Sequence, residues 1–436
     1  MQPGPPRDSQ TADRDTRKES LRRALTAGEP KGARKVRDEN GGGLMRYWVG
    51  FDVGKAFHWV CVLDEEGKEV LSRRVEATET DLETSCSEVE ALGAERTVGI
   101  DLLGGPATLL EAVLLGRGER VLHVPGIAVN RARNAYPGEA KSDAKDAHVI
   151  ADQLRLRSAT LHEVCLKDET TAEMRTLVAH RRDLLQDQTR RAARLREVLL
   201  GVFPGLEATL DLKREGPLLA VTKLATPAQA RKLGTSRLSR WLKARGVRKA
   251  PDLAERIVAA ARAQRRELPA AEAKATLVAE IASEILRTRG RIAELDRRLE
   301  ELLADDPKAR IVRTMPGMGV VFTAEFLAEV GNLGRFASAE ALAAAAGVAP
   351  VLRASGAMSY RRRARRGNKV LKRVLYRSAF SCISHHERSE TFYRRKRAEG
   401  KGHHQAVIAL ARRRVDVLWA MLRDGQTYSE RPSPAP

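Results

Sequence analysis

Two aspartates, Asp143 and Asp146, stand three residues apart in the stretch KSDAKDAHVIADQLRL. On a helix these positions share a face, and two carboxylates there repel each other unless a cation lies between them. Two more aspartates end apolar runs upstream, Asp52 in GFDVGK and Asp101 in GIDLLGG. Taken singly, an acid after a strand is an ordinary turn residue, and an acid opening a helix is an ordinary cap or dipole partner. Gathered at the carboxyl edge of one α/β sheet, the four would make an all-oxygen site for Mg²⁺ or Mn²⁺. Two such ions about 3.5–4 Å apart stabilise the attacking and leaving oxygens of phosphodiester cleavage. Asp52, Asp101, Asp143 and Asp146 are therefore the candidate metal ligands and catalytic acids.

The rest of the chain bears on that choice through its charge. The 436 residues carry a formal net charge of +21, which favours a polyanionic partner, most simply nucleic acid. The charge is uneven. From Arg353 to Arg414 there are 19 Lys or Arg and 3 Glu, an excess of 19 − 3 = +16. The chemistry-bearing acids lie far upstream, so a basic end is separated from a carboxylate-bearing end. The four cysteines, Cys61, Cys86, Cys165 and Cys382, show no CxxC spacing, which fits a reduced cytosolic protein without a zinc ribbon. No apolar run approaches the ~18 residues of a membrane span, and the polar N-terminus lacks the apolar core of a secretory signal.

Patterning divides the chain into five parts. Residues 1–45 read as a disordered arm. Residues 46–160 alternate strands and helices, an α/β domain: strands at 46–54 and 96–105, a hairpin over 58–77 around DEEGKE, helices at 80–93 and after Pro106, a strand at 119–126, and a helix from near Ser142. Residues 161–305 are helical. There, Val278, Ile281, Ile285, Thr288, Ile292, Leu295, Leu299 and Leu302 step by alternating threes and fours. That is a coiled-coil seam, with its partner either in the same chain or in another subunit. Residues 306–425 form a mostly helical C-terminal domain. It opens on RTMPGMGVVFTAEFLAEVG, a helix–hairpin–helix-like element whose turn presents backbone N–H groups to phosphate. Residues 426–436 are a disordered tail.

Within the C-terminal domain, YRRRARRGNKVLKR carries Val370, Leu371, Val374 and Leu375 at helical spacing. It reads as a basic amphipathic helix with Asn368 and Lys369 near its start. Arg361, Arg362, Arg363, Arg365, Arg366, Asn368, Lys369, Lys372 and Arg373, with Arg353 just upstream, are the candidate nucleic-acid-binding residues. FYRRKRAEGKGHHQAVIALARRR repeats the theme, and each phosphate neutralised steepens the salt dependence of binding.

Both ends of the chain resemble one family. GFDVGK, a strand-end acid and KSDAKDAHVIAD, with separations of 49, 42 and 3 residues, resemble the DEDD transposases of insertion sequences. The Pro-Gly-x-Gly turn, GRFASAEALAAAAGVAP, the SG pair and RRGNKVLKRVLYRSA resemble their C-terminal transposase domain. The resemblance implies a ribonuclease-H/RuvC-like N-terminal fold. It implies a serine nucleophile, here Ser355, that attacks DNA, and a covalent phosphoserine intermediate. It also implies a homodimer or homotetramer that joins the two halves between subunits, a structured noncoding guide RNA that pairs with donor and target DNA, and a bacterial, cytoplasmic, nucleoid-associated setting without membrane attachment. The second acid of the family pattern is usually Glu, and Asp101 stands there.

The chemistry is consistent with that assignment. A serine hydroxyl needs activation, and Arg353, Arg361, Arg362 and Arg363 can hold a phosphate and offset developing charge. No histidine accompanies Ser355, which argues against a Ser-His-Asp hydrolase. Ser359 is its internal competitor. Three other readings stay open from residues alone. One is a RuvC-like junction nuclease that never uses Ser355. Another is a nonenzymatic scaffold in which the acids are caps. The weakest is an actin-like ATPase that uses GFDVGK.

Overall fold

The computed structural model describes residues 46–93, 95–136, 142–164, 169–356 and 358–430. The arm expected over 1–45 and the last six residues of the tail lie outside them. The chain divides into two compact units, Met1–Leu166 and Lys167–Pro436, and no described helix is long and apolar enough to cross a membrane.

The first unit runs β1 (Arg46–Val53), β2 (Phe57–Leu63), β3 (Glu69–Glu76), α1 (Glu79–Ala91), β4 (Glu95–Ile100), α2 (Thr108–Gly116), β5 (Val121–His123), α3 (Gly126–Arg133), α4 (Asp143–Arg157) and β6 (His162–Glu163). The six strands form one sheet in the order β3-β2-β1-β4-β5-β6. β1, β4 and β5 are parallel, and β2, β3 and β6 pair antiparallel with their neighbours. This mixed α/β organisation is consistent with the ribonuclease-H-like domain that the resemblance implies. Helix α3 was not expected. It is eight residues long and buries only Val129, which leaves no apolar period to read.

Strand alternation explains what lies on each face of the sheet. Val49, Phe51, Val98 and Ile100 point one way, into a core with Leu82 of α1 and Leu110 of α2. Gly50 and Gly99, which stand side by side in register, point the other way, towards α4. A Cβ on Gly50 would lie 2.3 Å from the Ala147 carbonyl oxygen and 2.5 Å from the Ala151 nitrogen; one on Gly99 would lie 2.6 Å from Leu154 Cδ1. The paired glycines open a trough in which the helix backbone rests directly on the strands. Ser142 caps the helix by accepting a hydrogen bond from the Lys145 N–H, so α4 begins at Asp143.

The second unit runs α5 (Glu169–Leu200), α6 (Pro204–Thr209), α7 (Glu215–Lys223), α8 (Pro227–Lys243), α9 (Ala250–Ala263), α10 (Ala271–Ala304), α11 (Pro307–Arg313), α12 (Val320–Val330), α13 (Ala339–Ala345), β7 (Val351–Ser355), β8 (Met358–Arg362), α14 (Lys369–Cys382), α15 (Glu387–Ala398) and α16 (His403–Asp424). Helices α5 and α10 pack against each other within the chain. The ion pairs Glu173–Arg298, Arg181–Asp296 and Arg191–Glu284 advance along one helix while retreating along the other, so the pair is antiparallel. The expected seam is buried at Val278, Ile281, Ile285, Thr288, Ile292 and Leu299; Leu295 and Leu302 are only half-buried, and Leu303 is buried at the end in place of Leu302. A straight 3.6-residue helix drifts off a strict heptad in this way. One end of the pair shares a core with Phe203, Leu218, Leu238 and Ile257. The other joins Phe326, Leu342, Leu375 and Leu418.

Replacing Gly50 with Ala should force α4 off the sheet. Overpacking of this kind costs about 1–3 kcal/mol. Urea unfolding should show a lowered midpoint for Gly50→Ala, with a much smaller effect at Gly116→Ala, where a Cβ meets nothing within 4 Å.

Candidate active site

The register that pairs Gly50 with Gly99 also places Asp52 beside Asp101. Phe51 pairs with Ile100 at the carboxyl ends of two parallel strands, and the next residue on each chain segment is an aspartate, Asp52 still within β1 and Asp101 just past β4. The Val53 N–H donates to Asp101 Oδ1 at 3.2 Å. The first turn of α4 adds Asp146, whose charge acts on Asp101. The structure therefore brings Asp52, Asp101 and Asp146 to one edge of the sheet. Asp143 occupies the first helical position, exposed, one turn ahead of Asp146.

Desolvation dominates the electrostatics of the crevice. Burial pushes the Asp101 carboxyl up from its ordinary value; the Val53 hydrogen bond opposes that, and the Asp146 charge adds to it. Asp146 is 5% exposed. Arg133 of α3 lies beside it, Nε 2.5 Å from Oδ1, but off the hydrogen-bonding direction, so that buried oxygen has no hydrogen bond. His123, whose Nε2 lies 3.3 Å from the Asp101 carbonyl oxygen, is held below its usual range by burial. A buried carboxylate oxygen ion-paired but not hydrogen-bonded, a desolvated carboxyl and an all-oxygen donor set fit a hard divalent cation. Among the described residues no three of these acids converge to within 4.8 Å, so the arrangement is an open crevice rather than a closed cage.

Ser355 lies in the other unit. It ends β7, faces Met358 across the hairpin and precedes Gly356, whose φ of +54° favours glycine. The domain reads as mostly helical in sequence, and this hairpin was not expected. The hairpin exposes both faces, so no period-2 apolar pattern announced it. Pleating puts Ser355 on the same face as Arg353, Tyr360 and Arg362; Ser359 shares the opposite face with Ala354, Leu352 and Arg361. The two serines are thus separated by the sheet itself.

Of the residues expected to meet nucleic acid, Arg353, Arg361, Arg363, Arg365, Arg366 and Lys369 are exposed. Arg362 is half-buried, and its Nε has no hydrogen-bond partner. Three others are engaged inside the protein. Asn368 caps α14, accepting from the Val370 and Leu371 N–H groups, and donates to Glu329 at 2.5 Å. Lys372 donates to the Ala364 carbonyl at 3.2 Å. Arg373 is paired at 2.6 Å with Glu325, a nearly buried acid.

Sequence reasoning passed over Gly50, Gly99, Arg133, Glu325 and Glu329. A signal for the glycines existed, because VGFD at 49–52 and VGID at 98–101 are one pattern written twice. Arg133 had none, since its helix was not foreseen.

Residues 49–204 match a DEDD IS110-type family model described as a transposase. Residues 309–394 match one described as transposase of the IS116/IS110/IS902 family. The chain is 41% identical over 393 residues to an uncharacterized 44.8 kDa protein of insertion element IS116 from Streptomyces clavuligerus, covering 89% of this chain and 97% of that one. It is also 41% identical over 386 residues to a 42 kDa protein of IS900 from Mycobacterium paratuberculosis, covering 87% and 96%. It is 27% identical over 411 residues to a mini-circle putative transposase for IS117 from Streptomyces coelicolor, covering 90% and 97%.

The raised Asp101 carboxyl gives a pH signature. The folded state holds that proton more tightly than the unfolded chain, so the group lowers stability as pH rises through and above the ordinary carboxylate range. Asp101→Asn should therefore melt higher than the wild type at pH 7 in chelator, with the difference closing below about pH 4. Thermal melts across that range read it directly.

Proposed function

This chain belongs to the IS116/IS110/IS902 family of transposases and is a DNA transposase, and from that premise we propose that it cuts and rejoins DNA through Ser355, assisted by the carboxylate crevice. The observation that carries the reading is the hairpin face on which Ser355 stands with Arg353 and Arg362, while Ser359 faces away. In the proposed step, Ser355 Oγ bonds to phosphorus and the bond to the leaving deoxyribose oxygen breaks. The serine proton is passed on and the leaving oxygen gains one, so a phosphoserine ester and a free hydroxyl result. Attack by a hydroxyl of another strand reverses the chemistry and rejoins DNA in a new pairing.

Arg353 and Arg362 offset the charge that develops on the phosphoryl oxygens. Asp52, Asp101, Asp143 and Asp146 would hold Mg²⁺ or Mn²⁺, which when bound supplies Lewis-acid stabilisation of oxyanions. The carboxylates would fix the position of that ion; Arg133 balances Asp146, and the Val53 N–H orients Asp101. The reading takes residues 46–160 as the RuvC-like DEDD part and 306–425 as the serine part, joined through a homo-oligomer. A structured noncoding RNA is proposed as the guide. The excess of +16 over residues 353–414 supports a long polyanion there without separating RNA from DNA.

A denaturing gel tests the central step. Protein, Mg²⁺, the element's flanking RNA and junction-bearing DNA should yield a protein–DNA adduct. Ser355→Ala should lose adduct and recombination by on the order of 10³-fold or more, and Arg353→Ala by about 10²-fold, whereas Ser359→Ala keeps both. Cleavage by Ser355→Ala without adduct would instead support the junction nuclease.

A further inference from the structure

One group of side chains outside that crevice has the makings of a different metal site. Cys61 of β2, Glu69 at the start of β3 and His148 of α4 bring together Sγ, Oε2 and Nδ1. The separations are 3.6 Å for Sγ–Oε2, 3.8 Å for Sγ–Nδ1 and 3.6 Å for Nδ1–Oε2. Among the described residues no other trio of His, Cys, Asp or Glu ligand atoms is this close.

Cys61 Sγ donates a long, weak hydrogen bond to Glu69 Oε2 and meets His148 Nδ1, but the His148–Glu69 contact is not a hydrogen bond. An imidazole N–H donating to a carboxylate sits at about 2.7–3.2 Å, and 3.6 Å is too long. Zinc holds sulfur at about 2.3 Å, imidazole nitrogen at about 2.0–2.1 Å and carboxylate oxygen at about 2.0–2.2 Å, and tetrahedral angles then put the ligand atoms about 3.4–3.6 Å apart. All three separations fall within about 0.3 Å of those edges. We infer that Cys61, Glu69 and His148 form a three-ligand site for a borderline-soft divalent cation of the Zn²⁺ class, with solvent as fourth ligand.

The donor set selects the ion. Thiolate and imidazole suit zinc and its neighbours and disfavour Mg²⁺, which takes oxygen. Cys61 is fully buried and Glu69 exposed, so sulfur anchors the ion from the interior and the carboxylate side admits ion and water. Without the ion, burial and then the Glu69 charge push the Cys61 thiol up, so binding must release the thiol proton to solvent. The three ligands come from two strands and a helix. A bound ion would tie α4 to β2 and β3, making it a positioning device for the helix that carries Asp143 and Asp146, separate from the carboxylates themselves.

The test uses full-length protein stripped by chelator and titrated with Co²⁺. One equivalent should produce a sulfur-to-cobalt charge-transfer band and tetrahedral ligand-field bands, and Zn²⁺ should abolish both by displacement. Cys61→Ala should lose the charge-transfer band. Glu69→Gln, at an exposed position that does not threaten folding, should weaken binding by about tenfold or more. Asp101→Asn, aimed at the other crevice, should keep the bands, and Zn²⁺ should raise the melting temperature of wild type but not of Cys61→Ala. Absence of the charge-transfer band in folded wild type, its survival in Cys61→Ala, or unchanged affinity in Glu69→Gln would overturn the assignment.

Discussion

The close seating of one helix on two strands governs the α/β unit. Gly50 and Gly99, paired in register, remove two side chains from the sheet face, and the backbone of α4 occupies the space they leave. Two residues further along come Asp52, within β1, and Asp101, just past β4, at the same edge of the sheet. Burial of Val149, Ile150 and Leu154 contributes about 1.5–3 kcal/mol for each large side chain. That burial, with Arg133 paired to Asp146, holds Asp146 near Asp101. The apolar part of the helix, together with Arg133, thus holds acids close to one another at the sheet edge, an arrangement that marks a candidate site.

The second unit uses charge differently. Some of its basic residues are turned inward, and others, such as Arg353 and Arg361, lie exposed. Arg373 with Glu325 and Asn368 with Glu329 fix the start of α14 against α12. Arg414 of α16, 4% exposed, donates to the Pro316 carbonyl and to Ser378, pinning the Pro-Gly-x-Gly turn from beneath. The β7–β8 hairpin rises from this rigid base with Leu352, Met358 and Tyr360 at 60%, 66% and 53% exposure. A hairpin so open on both faces leaves Ser355 and Arg353 exposed, as the proposed role in DNA cleavage requires.

Much of this was legible in the sequence, for physical reasons. The strand-end acids and the helix from Ser142 follow from an apolar run, a cap and a period. The long helix of the second unit was readable from Val278 onward because a heptad is a strong signal. Its partner was not, since Val278 to Leu302 would suit a helix in this chain or in another equally well, and only the ion pairs along α5 decide it. The glycine trough and the inward-turned Asn368, Lys372 and Arg373 were hidden for a shared reason. A residue type shows what a side chain can do, but which neighbour satisfies it depends on tertiary contacts such as Glu325 and Glu329.

The most direct measurement is a Mn²⁺ titration of the full-length protein followed by electron paramagnetic resonance, comparing wild type with Asp52→Asn, Asp101→Asn and Asp146→Asn. If the register-matched strand ends and the first turn of α4 make one hard-cation site, the free Mn²⁺ signal should be quenched by wild type and largely restored in each variant. Equal quenching by wild type and by the Asp101 and Asp146 variants would contradict the account and return those acids to the roles of turn and cap.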